Sequence, residues 1–456
     1  MSKIKAKYVC SACGDAFTAW SGKCASCGEW NSIQQLFDVQ SKTKAEQAVK
    51  NGSLLTATGL SQHASETASQ RYSSTIHDID TVLGGGVVPG SVTLLAGQPG
   101  IGKSTLLLQL AYGLAAQANL LYVSGEESVS QISLRGKRLS ADKQEILVAT
   151  SNSANDIAAT IASGNYAIVI VDSVQTIATE DVTGVPGSVS QVTNSAQLIT
   201  LAAKQSNTAV ILVGHVTKDG TIAGPKVLEH LVDVVLQLEG DRYADLRVLR
   251  GVKNRFGSTN EAAILEMSDK GLAIVKNPSA ALLAERKVSD GSVVMATLEG
   301  SRPVLVEIQA LVNTTSYGYP KRAASGFDLN RLNLLVAMLE RRTKIKLSDK
   351  DIYINVVGGI KIAENAADLA VCMAISSAAS GMQLINDAVV FGEVGLSGEV
   401  RHVPWIDKRI QEIKKMGFTD CIGPRLTKKL PTQGVAYKPA TDVRSILNTT
   451  LMKGSS

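Results

Sequence analysis

The sequence predicts an α/β protein: a mostly parallel sheet carrying a glycine-rich loop, a small cysteine-rich module before it, and an α+β domain after it. Three observations predict this. The apolar run at 92–96 opens directly into GQPGIGKST at 97–105. Short continuous apolar runs at 120–124, 167–171 and 209–213 alternate with helical segments, the pattern of parallel strands buried on both faces. Cys10, Cys13, Cys24 and Cys27 crowd the first 27 residues.

Length and composition bound the rest. A chain of 456 residues holds two or three domains, each large enough for its own core. A net charge of +5 permits a polyanionic partner without demanding one, because clustering of Lys and Arg matters more than their total. The opening MSKIKAKYVC lacks an apolar stretch, so no secretory signal is expected. The most apolar segment, 105–124, is interrupted by Gln109, Gly113, Gln117 and Asn119. It reads as a helix followed by a strand, not as a membrane span. A cytoplasmic protein follows as the expectation.

The cysteines form C-x2-C-x10-C-x2-C. Each C-x2-C points two thiolates at one ion, and two such pairs complete a tetrahedron around Zn2+. Four cysteines at this spacing in a long chain favour metal over disulfides or a redox pair. Gly28 follows the second pair, where the backbone needs room, and Trp20 and Trp30 are expected to cover the site with apolar surface. The finger, residues 1–37, reads as a zinc staple, with nucleic-acid or partner contact left open. Residues 38–74 turn polar and lose periodicity, which reads as a linker.

The loop Gly97, Gln98, Pro99, Gly100, Ile101, Gly102, Lys103, Ser104, Thr105 satisfies GxxxxGK[ST]. Its glycines let backbone N–H groups wrap phosphates at a helix N-terminus. Lys103 then reaches the β- and γ-phosphates of ATP, and Ser104 ligates Mg2+. The run ending at Asp172 supplies a carboxylate at the end of a buried strand, placed to hold Mg2+ through water. The run before YVSGEES ends in two carboxylates, of which Glu126 is assigned to polarise the attacking water and Glu127 is the fallback. His215, at the end of the run at 209–213, is read either as a γ-phosphate sensor or as a hydrogen-bonded core histidine. Alternating strands and helices place all of these at the carboxyl ends of a parallel sheet.

LGGGVVPGS at 83–91, GQPGIGKST at 97–105, YVSGEES at 122–128 and KNRFG at 253–257, with the four-cysteine finger and the long C-terminal region, together resemble the bacterial RadA (Sms) family of DNA repair proteins. The resemblance covers nearly the whole chain. It implies a RecA-like P-loop ATPase core at 75–275, in a homo-hexamer related to DnaB-type helicases. It also implies an enzyme of homologous recombination: a DNA-dependent ATPase and helicase. Such an enzyme binds single-stranded and branched DNA, drives branch migration and works with the RecA recombinase near the nucleoid. Lys103, Ser104 and Asp172 match its Walker residues, and Glu126 falls at the catalytic glutamate. Two loops, at 174–192 and 215–227, then face DNA. The second carries Lys218 and Lys226 among glycines, and neither has an aromatic platform, so backbone tracking is expected more than base stacking. In KNRFG, Lys253 and Arg255 are assigned to reach the γ-phosphate of a neighbouring subunit. Contact with DNA, or a relay between ATP and DNA, is the alternative.

From about residue 276 the pattern becomes α+β. Runs at 293–300 and 304–312 read as paired strands around a turn at 301–303, followed by a helix at 328–341, a strand at 352–357 and a small-residue helix at 366–380. FGEVGLSGEV at 391–400 resembles the Lon protease domain. Where that family keeps its nucleophile stand Ala366, Ala367 and Asp368, and where it keeps its lysine stands Asp407, with Lys408 one step away. A Ser-Lys dyad needs its hydroxyl, so a proteolytically inactive domain is expected at 276–456. Lys344, Lys346, Arg401, Lys408, Arg409, Lys414 and Lys415 are its candidate basic surface, though most of them individually read better as ordinary solvated charges on helices. The function expected is an ATP-driven DNA motor; the rivals are an ATP-regulated DNA-binding switch and a Lon-like protease.

Overall fold

The computed structural model describes residues 7–10, 13, 15–36, 70–141, 144–215, 227–240, 246–316, 318–426, 432 and 434–453. The chain divides into two units, 1–69 and 70–456.

In the first unit, strands β1 (Lys7–Cys10), β2 (Ala16–Phe17) and β3 (Ile33–Leu36) form an antiparallel sheet with β1 in the middle. Cys10, Cys24 and Ile33 are its buried residues, with Tyr8 and Phe17 packed against them. So small a core cannot hold itself together by apolar burial alone. The expectation that Trp20 and Trp30 cover the cysteines is corrected here: the two side chains are 61% and 68% exposed. Their indoles flank Gly22, and the Lys23 ammonium lies 5.4 Å from the Trp30 ring centre.

In the second unit, nine strands form one sheet. They are β4 (Val92–Gly97), β5 (Leu120–Ser124), β6 (Leu147–Thr150), β7 (Ile168–Asp172), β8 (Ala209–His215), β9 (Val234–Glu239), β10 (Leu246–Asn254), β11 (Ala262–Ser268) and β12 (Gly271–Ile274). Their order is β12-β11-β10-β9-β4-β8-β7-β5-β6. The six from β9 to β6 run parallel, and β10 to β12 extend the sheet antiparallel. The apolar runs are continuous because both faces are covered. Leu95, Ile170, Ile211 and Val213 pack on one face with Leu106, Leu107 and Leu110 of the helix Lys103–Ala115. Leu94, Val169, Val171, Val210 and Leu212 pack on the other, with Ile157 and Ile161 of Ala154–Ala162 and Ile199 of Val189–Ser206. Each such fully buried aliphatic side chain contributes about 1.5–3 kcal/mol, so strand order is fixed by the same side chains that mark the strands in sequence.

The remaining strands are β13 (Ser292–Glu299), β14 (Arg302–Thr314), β15 (Arg322–Ser325), β16 (Lys350–Val356), β17 (Met382–Leu384), β18 (Val389–Val390), β19 (Glu393–Val394), β20 (Val400–Arg401), β21 (Asp420–Pro424), β22 (Ala436–Ala440) and β23 (Leu451–Lys453). Seven of them form a mixed sheet, β15-β16-β14-β13-β18-β21-β22. The helices Leu329–Thr343 and Asp368–Ser380 share its core. The β13–β14 turn differs from the expected 301–303. Glu299 pairs with Arg302, which leaves a two-residue turn, Gly300 and Ser301. Gly300 takes φ +64°, and a Cβ there would lie 2.4 Å from the Asn260 carbonyl oxygen; only glycine fits. Arg302 is drawn into the strand and pairs with Asp78 at 3.2 Å.

Here the two sheets of this unit meet through charge. Arg250 on β10 pairs with the buried Glu299 at 2.6 Å. Burial pushes the Glu299 carboxyl up to about 7. Of the candidate basic surface residues of the last third, Arg409 is corrected. Arg409 is fully buried, with its guanidinium on Glu364 at 2.6 Å and on the Ala296 carbonyl. Arg401 is tied to Glu399 and Lys415 to Glu412; Lys344, Lys346 and Lys414 remain exposed. Among the described residues, no helix is long and apolar enough to cross a membrane.

Candidate functional site

The glycine-rich loop joins the end of β4 to the helix Lys103–Ala115. Gly100 and Gly102 take φ +78° and +113°, conformations that side chains with a Cβ avoid. A Cβ on Gly100 would meet nothing within 4 Å, whereas one on Gly102 would lie 2.6 Å from Met267. The loop is therefore open on one side and packed on the other, with Ile101 buried as its anchor.

Lys103 is 5% exposed. Its ammonium donates to the Gly97 and Gln98 carbonyls at 2.9 and 3.0 Å and contacts His215 Nδ1 at 3.0 Å. Burial pushes its pKa down to about 8, against the opposing pull of Asp172 and Glu126. A buried cation depressed in this way favours an incoming anion, and the wrapped backbone beside it presents N–H groups at a helix N-terminus. The residues fit a triphosphate.

His215, at the end of β8, bridges this lysine and Glu126. With Nδ1 accepting from Lys103, Nε2 carries the proton and faces Glu126 Oε1 at 3.7 Å. Burial first, then the Lys103 charge, lowers the His215 pKa, which keeps the ring neutral. The structure therefore brings Lys103, Asp172, Glu126 and His215 together at the ends of β4, β7, β5 and β8. Ser104 begins the helix beside them, half-buried.

Two residues that sequence reasoning missed complete the arrangement. The buried Tyr122 on β5 donates from its hydroxyl to Asp172 Oδ2 at 2.6 Å. Ser173 donates to Glu126 Oε1 at 2.5 Å. A phenol within an aliphatic strand (LLYVS) was the available signal for the first, since a buried Tyr hydroxyl needs a partner; a serine after a strand-end aspartate gives none. Glu127 is taken by Arg135 in an ion pair, whereas Glu126 lies beside Ser173 and His215.

KNRFG sits at the end of β10. Lys253 donates to the carbonyls of Glu229 and Val232 at 2.6 and 2.7 Å, capping the C-terminal end of the short helix Val227–Leu231. Arg255, 55% exposed, pairs with Asp233 at 3.2 Å. Asn254 donates to the Leu83 carbonyl at 3.1 Å, and Arg71 donates to the Phe256 carbonyl at 3.1 Å. Gly257 lies against Gly84 so closely that a Cβ on it would sit 2.8 Å from Gly84 Cα. The glycine-rich stretch at 84–86 and KNRFG thus fold onto one another. The segment 174–192 is organised by the buried Gln191, which accepts from Thr179 N at 2.9 Å and donates to the Val182 carbonyl at 2.6 Å. The loop at 215–227 lies almost entirely outside the described residues, as do Lys218 and Lys226.

In the first unit, the Sγ atoms of Cys10, Cys13, Cys24 and Cys27 all lie within 4.8 Å of one another. Cys10–Cys27 and Cys13–Cys24 are 3.7 Å apart, and none is in a disulfide. Four thiolates about 2.3 Å from one zinc ion stand about 3.8 Å apart, so the cluster fits a structural zinc. In the C-terminal region, Asp368 is fully buried and its carboxylate is held by Arg331 and by the Val394 N–H at 3.1 Å. Lys408 donates to the Ser301 carbonyl at 3.2 Å.

A glycine-loop lysine, strand-end carboxylates and a parallel sheet extended by antiparallel strands define a RecA-like P-loop ATPase, here joined to a zinc ribbon. Residues 61–221 match the AAA domain family, 8–35 the rubredoxin metal binding domain, and 312–426 the subunit ChlI of Mg-chelatase. The chain is 46% identical to the DNA repair protein RadA of Pseudomonas aeruginosa, over 93% of this chain and 94% of that one. It is 43% identical to the RadA of Aquifex aeolicus, over 98% and 99%, and 43% identical to that of Bacillus subtilis, over 99% and 100%. A crystal structure of the RadB recombinase aligns over 45% of this chain and all of its own, at 22% identity and TM-score 0.35. The chain belongs to the RadA family of DNA repair proteins. It is an ATP-hydrolysing enzyme with a zinc-binding ribbon and a ChlI- or Lon-like C-terminal domain.

Proposed function

We propose that the chain is an ATP-driven DNA motor of recombinational repair, a DNA-dependent ATPase and helicase that binds single-stranded and branched DNA. What supports the reading is the meeting of Lys103, Asp172, Glu126 and His215 at neighbouring strand ends in a member of the RadA family. Lys103 neutralises the β- and γ-phosphates of ATP, and the backbone from Gly97 to Gly102 cradles them. Ser104 and Asp172 would hold Mg2+, which would supply charge neutralisation to the triphosphate. Glu126 takes the proton of the attacking water. His215, between Lys103 and Glu126, registers the γ-phosphate and passes its presence to the segment it opens.

Segments 174–192 and 215–227 face DNA. Lys253 and Arg255 act at the neighbouring subunit of a homo-hexamer. Arg255 supports this best, being exposed with its guanidinium on a single acid, whereas Lys253 is satisfied within its own chain. Residues 1–37 are the finger and 38–74 the linker. Residues 75–275 are the motor, and 276–456 a proteolytically inert scaffold whose Asp368 sits in a buried ion pair where a nucleophile would stand. The protein works in the bacterial cytoplasm, near the nucleoid, with the RecA recombinase. Steady-state ATP turnover tests the site. Wild-type protein accelerated by single-stranded DNA, with Lys103→Ala inactive, supports it; turnover by Lys103→Ala at the wild-type rate refutes it.

A further inference from the structure

We propose that Ser173 is a positioning residue that holds Glu126 at rest and couples its release to movement of the segment 174–192. This rests on the reading of Glu126 as the carboxylate that activates water. Glu126 is 42% exposed in its side chain. Yet one oxygen, Oε1, is held from a neighbouring strand end by the Ser173 hydroxyl at 2.5 Å, with His215 Nε2 standing 3.7 Å away. Ser173 directly follows Asp172 and is 1% exposed. Its side chain is enclosed by the chain around it.

That chain leads straight into the segment. The Ser173 carbonyl accepts from Thr176 N and Thr176 Oγ1 at 3.2 and 2.8 Å, and Val174 N donates to the Val213 carbonyl at 3.0 Å. Thr176 Oγ1 is wedged against Gly125, where a Cβ would lie 2.3 Å away. Further along, Gln191 staples Thr179, Val182 and Gly184 together. Val185 and Val189 stand 72% and 60% exposed at the outer end. A force on that end is carried through the staple to the Ser173–Thr176 turn, and so to the hydrogen bond that Ser173 donates to the glutamate.

The chemistry of that bond gives the sign. The donated hydroxyl occupies the oxygen that would take a proton from water. Lys103 is similarly engaged, by the Gly97 and Gln98 carbonyls and by His215. Lysine and histidine thus engage one another at rest, as do glutamate and serine, and Ser173 is the member attached to the segment 174–192.

The test compares wild type, Ser173→Ala, Ser173→Thr and Glu126→Gln. ATP turnover is measured with and without oligo-dT, with KM for ATP, and oligo-dT affinity is measured by anisotropy with ATPγS. Ser173→Ala is expected to raise the DNA-free kcat roughly tenfold, the worth of one hydrogen bond to a charged group. Its DNA-stimulated rate stays near wild type, so the stimulation ratio collapses, while KM and oligo-dT affinity are unchanged. Ser173→Thr keeps the hydroxyl and the wild-type ratio. Ser173→Ala with a wild-type ratio, or with both rates lowered, overturns the proposal, as does a wild type that oligo-dT does not accelerate. Glu126→Gln separates the two levels. If it turns over ATP like wild type, the reading of Glu126 has failed; if it is inactive while Ser173→Ala behaves as wild type, only the coupling has failed.

Discussion

Lys103 carries a pH dependence that the geometry sets in sign and size. In the nucleotide-free chain, burial brings its pKa down to about 8. A bound triphosphate places anionic oxygens against the ammonium and restores the charged form. Above pH 8 the bound state therefore holds one more proton than the free state, and affinity for ATP falls as pH rises. With a free-state pKa of about 8, the charged fraction drops from roughly nine-tenths at pH 7 to one-tenth at pH 9. Nucleotide affinity falls about tenfold over that interval, steepening toward tenfold per pH unit. His215 does not share this window, because its pKa is shifted down from the usual histidine value. The assay is titration with a fluorescent ATP analogue at constant Mg2+ from pH 7 to pH 9, beside Lys103→Arg, whose guanidinium stays charged throughout. A flat wild-type profile to pH 9, or an equal fall in Lys103→Arg, would refute the reasoning. The same shift acts on folding: the unfolded chain binds more protons between about pH 8 and 10.5, so this group's contribution to stability rises with pH there.

Gly257→Ala drives a methyl group to 2.8 Å from Gly84 Cα and is expected to cost about 1–3 kcal/mol, seen as a lower urea midpoint; an unchanged midpoint shows that KNRFG does not need the glycine contact. Cys27→Ser removes one of four thiolates and should strip the ribbon of zinc, so metal content equal to wild type contradicts the four-ligand site. Affinity for single-stranded DNA should fall linearly on a log–log plot against salt as counterions are released; a flat profile counts against phosphate contact.

The parallel strands were legible because burial on both faces leaves continuous aliphatic runs, as in Ile168–Asp172. The phosphate loop was legible because its backbone demands glycine at Gly100 and Gly102, and the ribbon because four thiolates at that spacing suit one ion. What stayed hidden depends on pairs distant in sequence. Tyr122 and Asp172, Ser173 and Glu126, and Gly84 and Gly257 meet only when strands far apart in sequence come together. The two tryptophans misled for a related reason. A large apolar side chain near a small metal site reads as its cover, but the ribbon closes with Tyr8, Phe17 and Ile33 instead. Arg409 misled in the opposite direction: on an otherwise basic helix it reads as surface, yet Glu364 and the Ala296 carbonyl take it into the core.

We propose that turnover at Glu126 moves the protein along DNA. The most direct measurement is strand displacement on a forked DNA by purified protein with ATP and Mg2+, beside Glu126→Gln. Displacement is expected from the wild type and none from the variant. Wild-type protein that hydrolyses ATP and binds the fork, yet separates no strands with or without RecA, would contradict it and leave an ATP-regulated switch in its place.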